Sequence, residues 1–147
     1  MDTKTSASTG LEILKHLALT RSNGSPIGET MGMLVAEVTS GRIILDVTPD
    51  GRHLNPLGVI HGGFAATCLD GAAALALYST LEANSAYATV DLNVKFLRPL
   101  RENIAYLAKG WLVDRTKKVA ICDAEIRDLS GTLFAKGSAT LMVLSER

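Results

Sequence analysis

The sequence predicts an α+β domain in which one antiparallel sheet curls around a single long helix. Three observations carry that prediction. Residues Gly62 to Leu81 form an apolar run dominated by Gly and Ala, with Phe64, Leu69, Leu75 and Leu77 as the larger side chains. Small residues on most sides let other backbone approach closely all round, so this helix is wrapped rather than laid on a surface. Two strand-like runs precede it and four follow, the last three joined by short turns, which is the pattern of an antiparallel meander. No repeat, linker or low-complexity tract interrupts the 147 residues, so one domain over 1–147 is expected, with 1–10 a flexible polar tail.

The elements follow in order. Leu11, Leu14 and Ala18 recur at helical spacing and predict a short amphipathic helix over Leu11–Leu19, ended by the Asn23-Gly-Ser-Pro26 break. Gly32–Val38 and Arg42–Thr48 read as a hairpin across Thr39-Ser-Gly41, because Leu45 and Val47 alternate with Asp46 and Thr48. Pro49-Asp-Gly51 closes it, and His53–Gly58 leads as a loop into the central helix. After the Glu82-Ala-Asn-Ser85 break come strands over Ala88–Leu97, Asn103–Val113, Val119–Arg127 and Thr132–Leu144. Asp114–Lys117 and Asp128–Gly131 are the intervening turns.

Composition narrows function. Fifteen Lys and Arg balance fifteen Asp and Glu, so no overall field draws the chain to nucleic acid or an anionic membrane. Gly58–Leu81 approaches the length of a membrane span, but Asp70 at its centre costs roughly 2.5–3.5 kcal/mol on insertion scales. Cys68 and Cys122 lie in apolar surroundings without metal-ligand spacing and read as reduced core thiols of a cytoplasmic protein. The polar N-terminus has no apolar leader core. No Gly-x-Ser-x-Gly elbow, phosphate loop or metal cluster occurs, so neither metal nor cofactor is expected.

One stretch carries chemistry: Asn55-Pro-Leu-Gly-Val-Ile-His61-Gly62-Gly63, followed two helical turns on by Asp70. The first amides of a helix lack intrahelical acceptors and carry about half a positive charge between them, which suits a developing oxyanion. A carboxylate inside an apolar helix is costly unless its charge is held or used. Chemistry on a carbonyl fits both. His61 stands nine residues from Asp70, too far along the helix to pair with it within one chain, and reads as structural or substrate-positioning. Asp91 and Asn93 lie at alternate positions from Thr89, hence on one strand face with it, and stay outside the catalytic set.

His61-Gly62-Gly63 with downstream Asp70, Thr89-Val-Asp-Leu-Asn93, Arg98-Pro99 and the stretch Asp128–Gly137 resemble the hotdog fold, and within it the acyl-CoA thioesterases related to the phenylacetate-degradation thioesterase. The resemblance runs from about Asn55 to the C-terminus and implies a six-stranded antiparallel sheet around the helix. It implies Asp70 as base or nucleophile, the Gly62 N–H as carbonyl-polarising donor helped by Asn55, and Thr89 as the residue orienting water. His61 and Gly63 would contact substrate. Arg98, Arg115 and Lys117 are candidate contacts for the phosphates of CoA, although a solvated hairpin equally explains the last two.

The expected activity is hydrolysis of an acyl-CoA to CoA and a free acid, with an acyl-thioester hydratase or a non-catalytic acyl-CoA binder as alternatives. A homodimer is the expected minimum, and relatives imply a homotetramer. The active site is expected at the interface, with Asn55 and Gly62 of one chain facing Asp70 and Thr89 of the other.

Overall fold

The computed structural model describes residues 7–145. Helix α1 (Gly10–Thr20) and the short α2 (Pro26–Met31) lead into hairpin β1 (Met33–Thr39) and β2 (Arg42–Val47). A 3₁₀ turn at Gly51–His53 precedes the central helix α3 (Gly62–Tyr78). Strands β3 (Ala86–Phe96), β4 (Tyr106–Arg115), β5 (Val119–Asp128) and β6 (Leu133–Ser145) follow. All six strands form one antiparallel sheet in the order β1-β2-β4-β5-β6-β3, folded around α3.

α3 is enclosed as its composition requires. Cys68, Leu69, Ala72, Ala76 and Leu77 have no exposed surface and pack against Leu45, Ala108, Ile126 and Leu141 of the sheet. The sheet comes close at Gly110 of β4, where an added Cβ would land on the backbone of Ala72. Gly110→Ala cannot be absorbed by a rotamer change, because helix backbone itself is the obstacle. It should cost about 3 kcal/mol, the upper end for overpacking, and lower Tm by roughly 6–12 °C in calorimetry. An unchanged Tm would show the helix free to slide.

Several expected boundaries move. The expected tail does not extend to residue 10: Thr9 caps α1 in a reciprocal box with Glu12, and the Gly10 N–H donates to Leu81 O at 3.2 Å. Residues 1–6 of that tail lie outside the described residues. Ser25 and Pro26, read as a break, instead supply the cap and first residue of α2. α3 stops at Tyr78 rather than Leu81, because Ser79 and Thr80 hydroxyls donate back to Ala76 O and Leu77 O. β4 begins at Tyr106, not Asn103, since Asn103 is left-handed with φ 61°.

A bulge in β3 corrects a more consequential expectation. Thr89 pairs with Leu141, but the next register position pairs Asp91 with Thr140, leaving Val90 extra. One inserted residue reverses the faces beyond it. Thr89 therefore points to α3, while Asp91 and Asn93 lie on the outer face rather than beside it.

Candidate active site

The segment entering α3 is braced before it reaches the helix. His53 is buried: its Nδ1 accepts from Asp50 N–H at 2.9 Å and its Nε2 lies 2.8 Å from Thr30 O, to which it donates as the neutral tautomer. Its ring centroid is 4.6 Å from that of Phe64, and its carbonyl accepts from His61 N–H at 2.8 Å. His53 thus anchors the helix mouth. In sequence His53 reads as part of a loop, and the capping Asp50 three residues earlier is the signal that marks it.

Asn55 organises the loop between. Its Oδ1 accepts from Leu57 N–H at 2.9 Å and Val59 N–H at 3.1 Å, and Gly58 supplies the positive φ (78°) that the tight turn needs. The amide oxygen is therefore committed to the turn. The Nδ2 group makes no hydrogen bond among the described residues and remains a donor.

At the helix mouth, His61 is the cap: Nδ1 accepts from Gly63 N–H at 2.7 Å. That contact fixes the Nε2–H tautomer and uses the second amide of the helix. The Gly62 N–H makes no hydrogen bond among the described residues, and Gly62 is solvent-exposed. One backbone donor at the positive end of α3 is thus left open. It borders a cleft of about 270 Å³ whose walls include Ile60, Ala65, Phe96, Leu97 and Leu100, with Arg98 among its lining residues.

Asp70 projects from the middle of α3 and accepts a hydrogen bond from the Thr89 hydroxyl, Oγ1 to Oδ1, at 2.8 Å. Among the described residues no cation pairs with it and no backbone amide binds it. Its second carboxylate oxygen makes no hydrogen bond among the described residues. Tyr87, two residues before Thr89, packs against Tyr78 with ring centroids 5.7 Å apart. Burial, with smaller contributions from Tyr78 and Asp70, pushes the Tyr87 phenol up, so it stays neutral beside the carboxylate. The thiols offer no competing nucleophile, since burial pushes Cys68 up to about 12 and Cys122 to about 11.

The cationic candidates divide between the two ends of the sheet. Arg98 follows β3 at the Gly62 end and donates to Leu133 O at 2.7 Å. Arg115 and Lys117 sit at the β4–β5 turn, near Val143 and so at the Tyr87–Thr89 end. The Arg115 guanidinium braces its own turn, donating to Thr116 O and Lys117 O. Lys117 is exposed.

The two chemical halves do not meet within one chain. Eight residues of helix separate Gly62 from Asp70, about 12 Å along the axis. A carbonyl and its attacking group need both within about 3 Å of the reacting atoms. On β3 the two halves are likewise apart, with Phe96 against Gly62 and Thr89, seven residues earlier, bonded to Asp70. β3 is also an edge strand eleven residues long, with Val90 55% exposed, so among the described residues one side of its backbone ladder is unpaired.

Known proteins share this fold. The family model described as Thioesterase superfamily matches residues 57–135. Human acyl-coenzyme A thioesterase 13 is 23% identical over 130 residues, covering 88% of this chain and 90% of that protein. A phenylacetic acid degradation-related protein of Ralstonia eutropha superposes with a TM-score of 0.77 at 26% identity, covering 89% of this chain and 99% of that one. A Streptococcus mutans protein solved bound to acetyl-CoA shares the fold, with a TM-score of 0.72 at 21% identity over 78% of this chain and 90% of that one.

Proposed function

The chain belongs to the thioesterase superfamily, and from that premise we propose that it hydrolyses acyl-CoA to CoA and a free acid at a site completed by two copies of the chain. The observation that carries the reading is the Thr89–Asp70 hydrogen bond at 2.8 Å, lying far along α3 from the open Gly62 N–H. Antiparallel pairing of β3 with its symmetry mate, about an axis near Leu92 and Asn93, is midway between Thr89 and Phe96. It brings Asp70 of one copy to Gly62 of the other. A homodimer is then the smallest active unit, and the resemblance to tetrameric hotdog relatives extends this to a homotetramer. Two buried, unpaired thiols support a cytoplasmic setting.

In the composite site the thioester oxygen accepts from Gly62 N–H and from Asn55 Nδ2. The Thr89 hydroxyl donates to Asp70 Oδ1 and accepts from water. Asp70 Oδ2 takes that water's proton as the oxygen attacks the carbonyl, and collapse of the tetrahedral intermediate expels CoA thiolate. His61 and Gly63 frame the entering thioester. No metal or cofactor takes part in these steps.

Thiol release across a panel of acyl-CoAs tests the reading. Hydration of an enoyl-CoA without release would identify a hydratase, and thermal stabilisation by acyl-CoA without either product a binder. The Lys117 turn of the second copy flanks the composite site, which suits the phosphates of CoA, and Arg98 of the first copy borders the cleft beside Gly62. Lys117→Ala should raise KM several-fold with little change in kcat, and the effect should shrink with added salt. An unchanged KM would make the turn a solvated hairpin.

A further inference from the structure

Phe96 is a large aromatic residue left 59% exposed at the end of β3, yet its ring is not idle. A Cβ built on Gly62 would lie 3.3 Å from Phe96 Cζ and 3.4 Å from Cε1, so the ring tip rests against the residue that bears the open N–H. The inward register of Phe96, opposite buried Ala135 of β6, turns the ring over the cleft rather than onto the outer face. Ile60, Ala65, Leu97 and Leu100 complete an apolar wall. Side-chain hydrogen-bonding groups in this lining come only from His61 and Arg98.

That chemistry selects which part of an acyl-CoA enters. The pantetheine arm carries two amides and a hydroxyl, which lose hydrogen bonds to water when buried against hydrocarbon. A hydrocarbon acyl group loses none and gains burial. The cleft measures about 270 Å³, room beside the Gly62 N–H for a short or medium chain or a single ring. Resting on the thioesterase reading, we propose that Phe96 is a specificity-determining residue, whose ring limits the size of the acyl group held beside the Gly62 N–H.

The test compares wild type, Phe96→Ala and Phe96→Trp in thiol release over straight-chain acyl-CoAs from two to sixteen carbons, with benzoyl- and phenylacetyl-CoA added. Removing the ring should move the kcat/KM optimum to longer chains. The ratio of kcat/KM for a chain two carbons beyond the wild-type optimum to that at the optimum should rise at least about tenfold. Phe96→Trp should move the optimum the other way. Phe96 lies on the strand that pairs with the second copy, so an unchanged Tm and unchanged light scattering verify that both variants stay folded and assembled. A change of KM by one common factor for every acyl-CoA would assign the ring to the pantetheine arm and overturn the proposal. Unchanged ratios in both variants would overturn it too. Failure of wild type to release thiol from any member of the panel would instead overturn the thioesterase reading beneath it.

Discussion

Replacing Asp70 by Asn should lower kcat by at least roughly 10², with fold and assembly intact, because a positioned base contributes on that scale. The substitution preserves shape and the acceptor that Thr89 addresses at 2.8 Å. It removes only the basic oxygen that would take the proton from water. Among the described residues no cation neutralises Asp70, so a charge-free replacement leaves no partner stranded. Stopped-flow thiol release with calorimetry and light scattering reads activity, stability and assembly together. Thr89→Ala should cost less, since it loosens the carboxylate without removing it. Near wild-type turnover in Asp70→Asn would show that the carboxylate is not the base.

Replacing Gly62 by Pro should lower kcat by about 10²–10³, the usual consequence of deleting one oxyanion donor. Proline removes the N–H while keeping the helix start, because the first position of a helix tolerates its fixed φ. The preceding residue is already suited to it: His61 has φ −62° and ψ 136°, the extended conformation that proline favours before itself. The new ring meets the tip of the Phe96 side chain, which is exposed enough to move aside. The His61 cap on the Gly63 N–H remains. Circular dichroism should therefore report an intact helix beside a crippled enzyme. Retained turnover would reassign the oxyanion donor.

The central helix was legible because a Gly- and Ala-rich run has few uses other than being wrapped, and Gly110 against Ala72 shows how close the wrapping is. Strand order was legible where turns are short, as in β4, β5 and β6, while the pairing of β3 with β6 is a long-range choice that local pattern cannot encode. The Val90 bulge escaped for a different reason. A single extra residue leaves composition and alternation almost unchanged yet reverses Asp91 and Asn93 relative to Thr89. At the candidate site, Asp70 and Gly62 stand out because a charge within an apolar helix and an open helix end are costly. His53 does not, since its importance lies in contacts with Thr30 and Phe64, distant in sequence. The Arg115 turn reads as a phosphate contact because charge is visible in sequence, while the carbonyls of Thr116 and Lys117 to which its guanidinium donates are visible only in the fold.

Subunit complementation tests the shared site most directly. Asp70→Asn and Gly62→Pro chains, each nearly inactive alone, are denatured, mixed in equal amounts and refolded. A mixed dimer then holds one site with Gly62 and Asp70 both intact and one site with both altered. Random pairing makes half of the dimers mixed, so thiol release should recover to about a quarter of the wild-type rate. If Gly62 and Asp70 act within one chain, every site carries one defect, and the mixture should be no more active than the two variants separately.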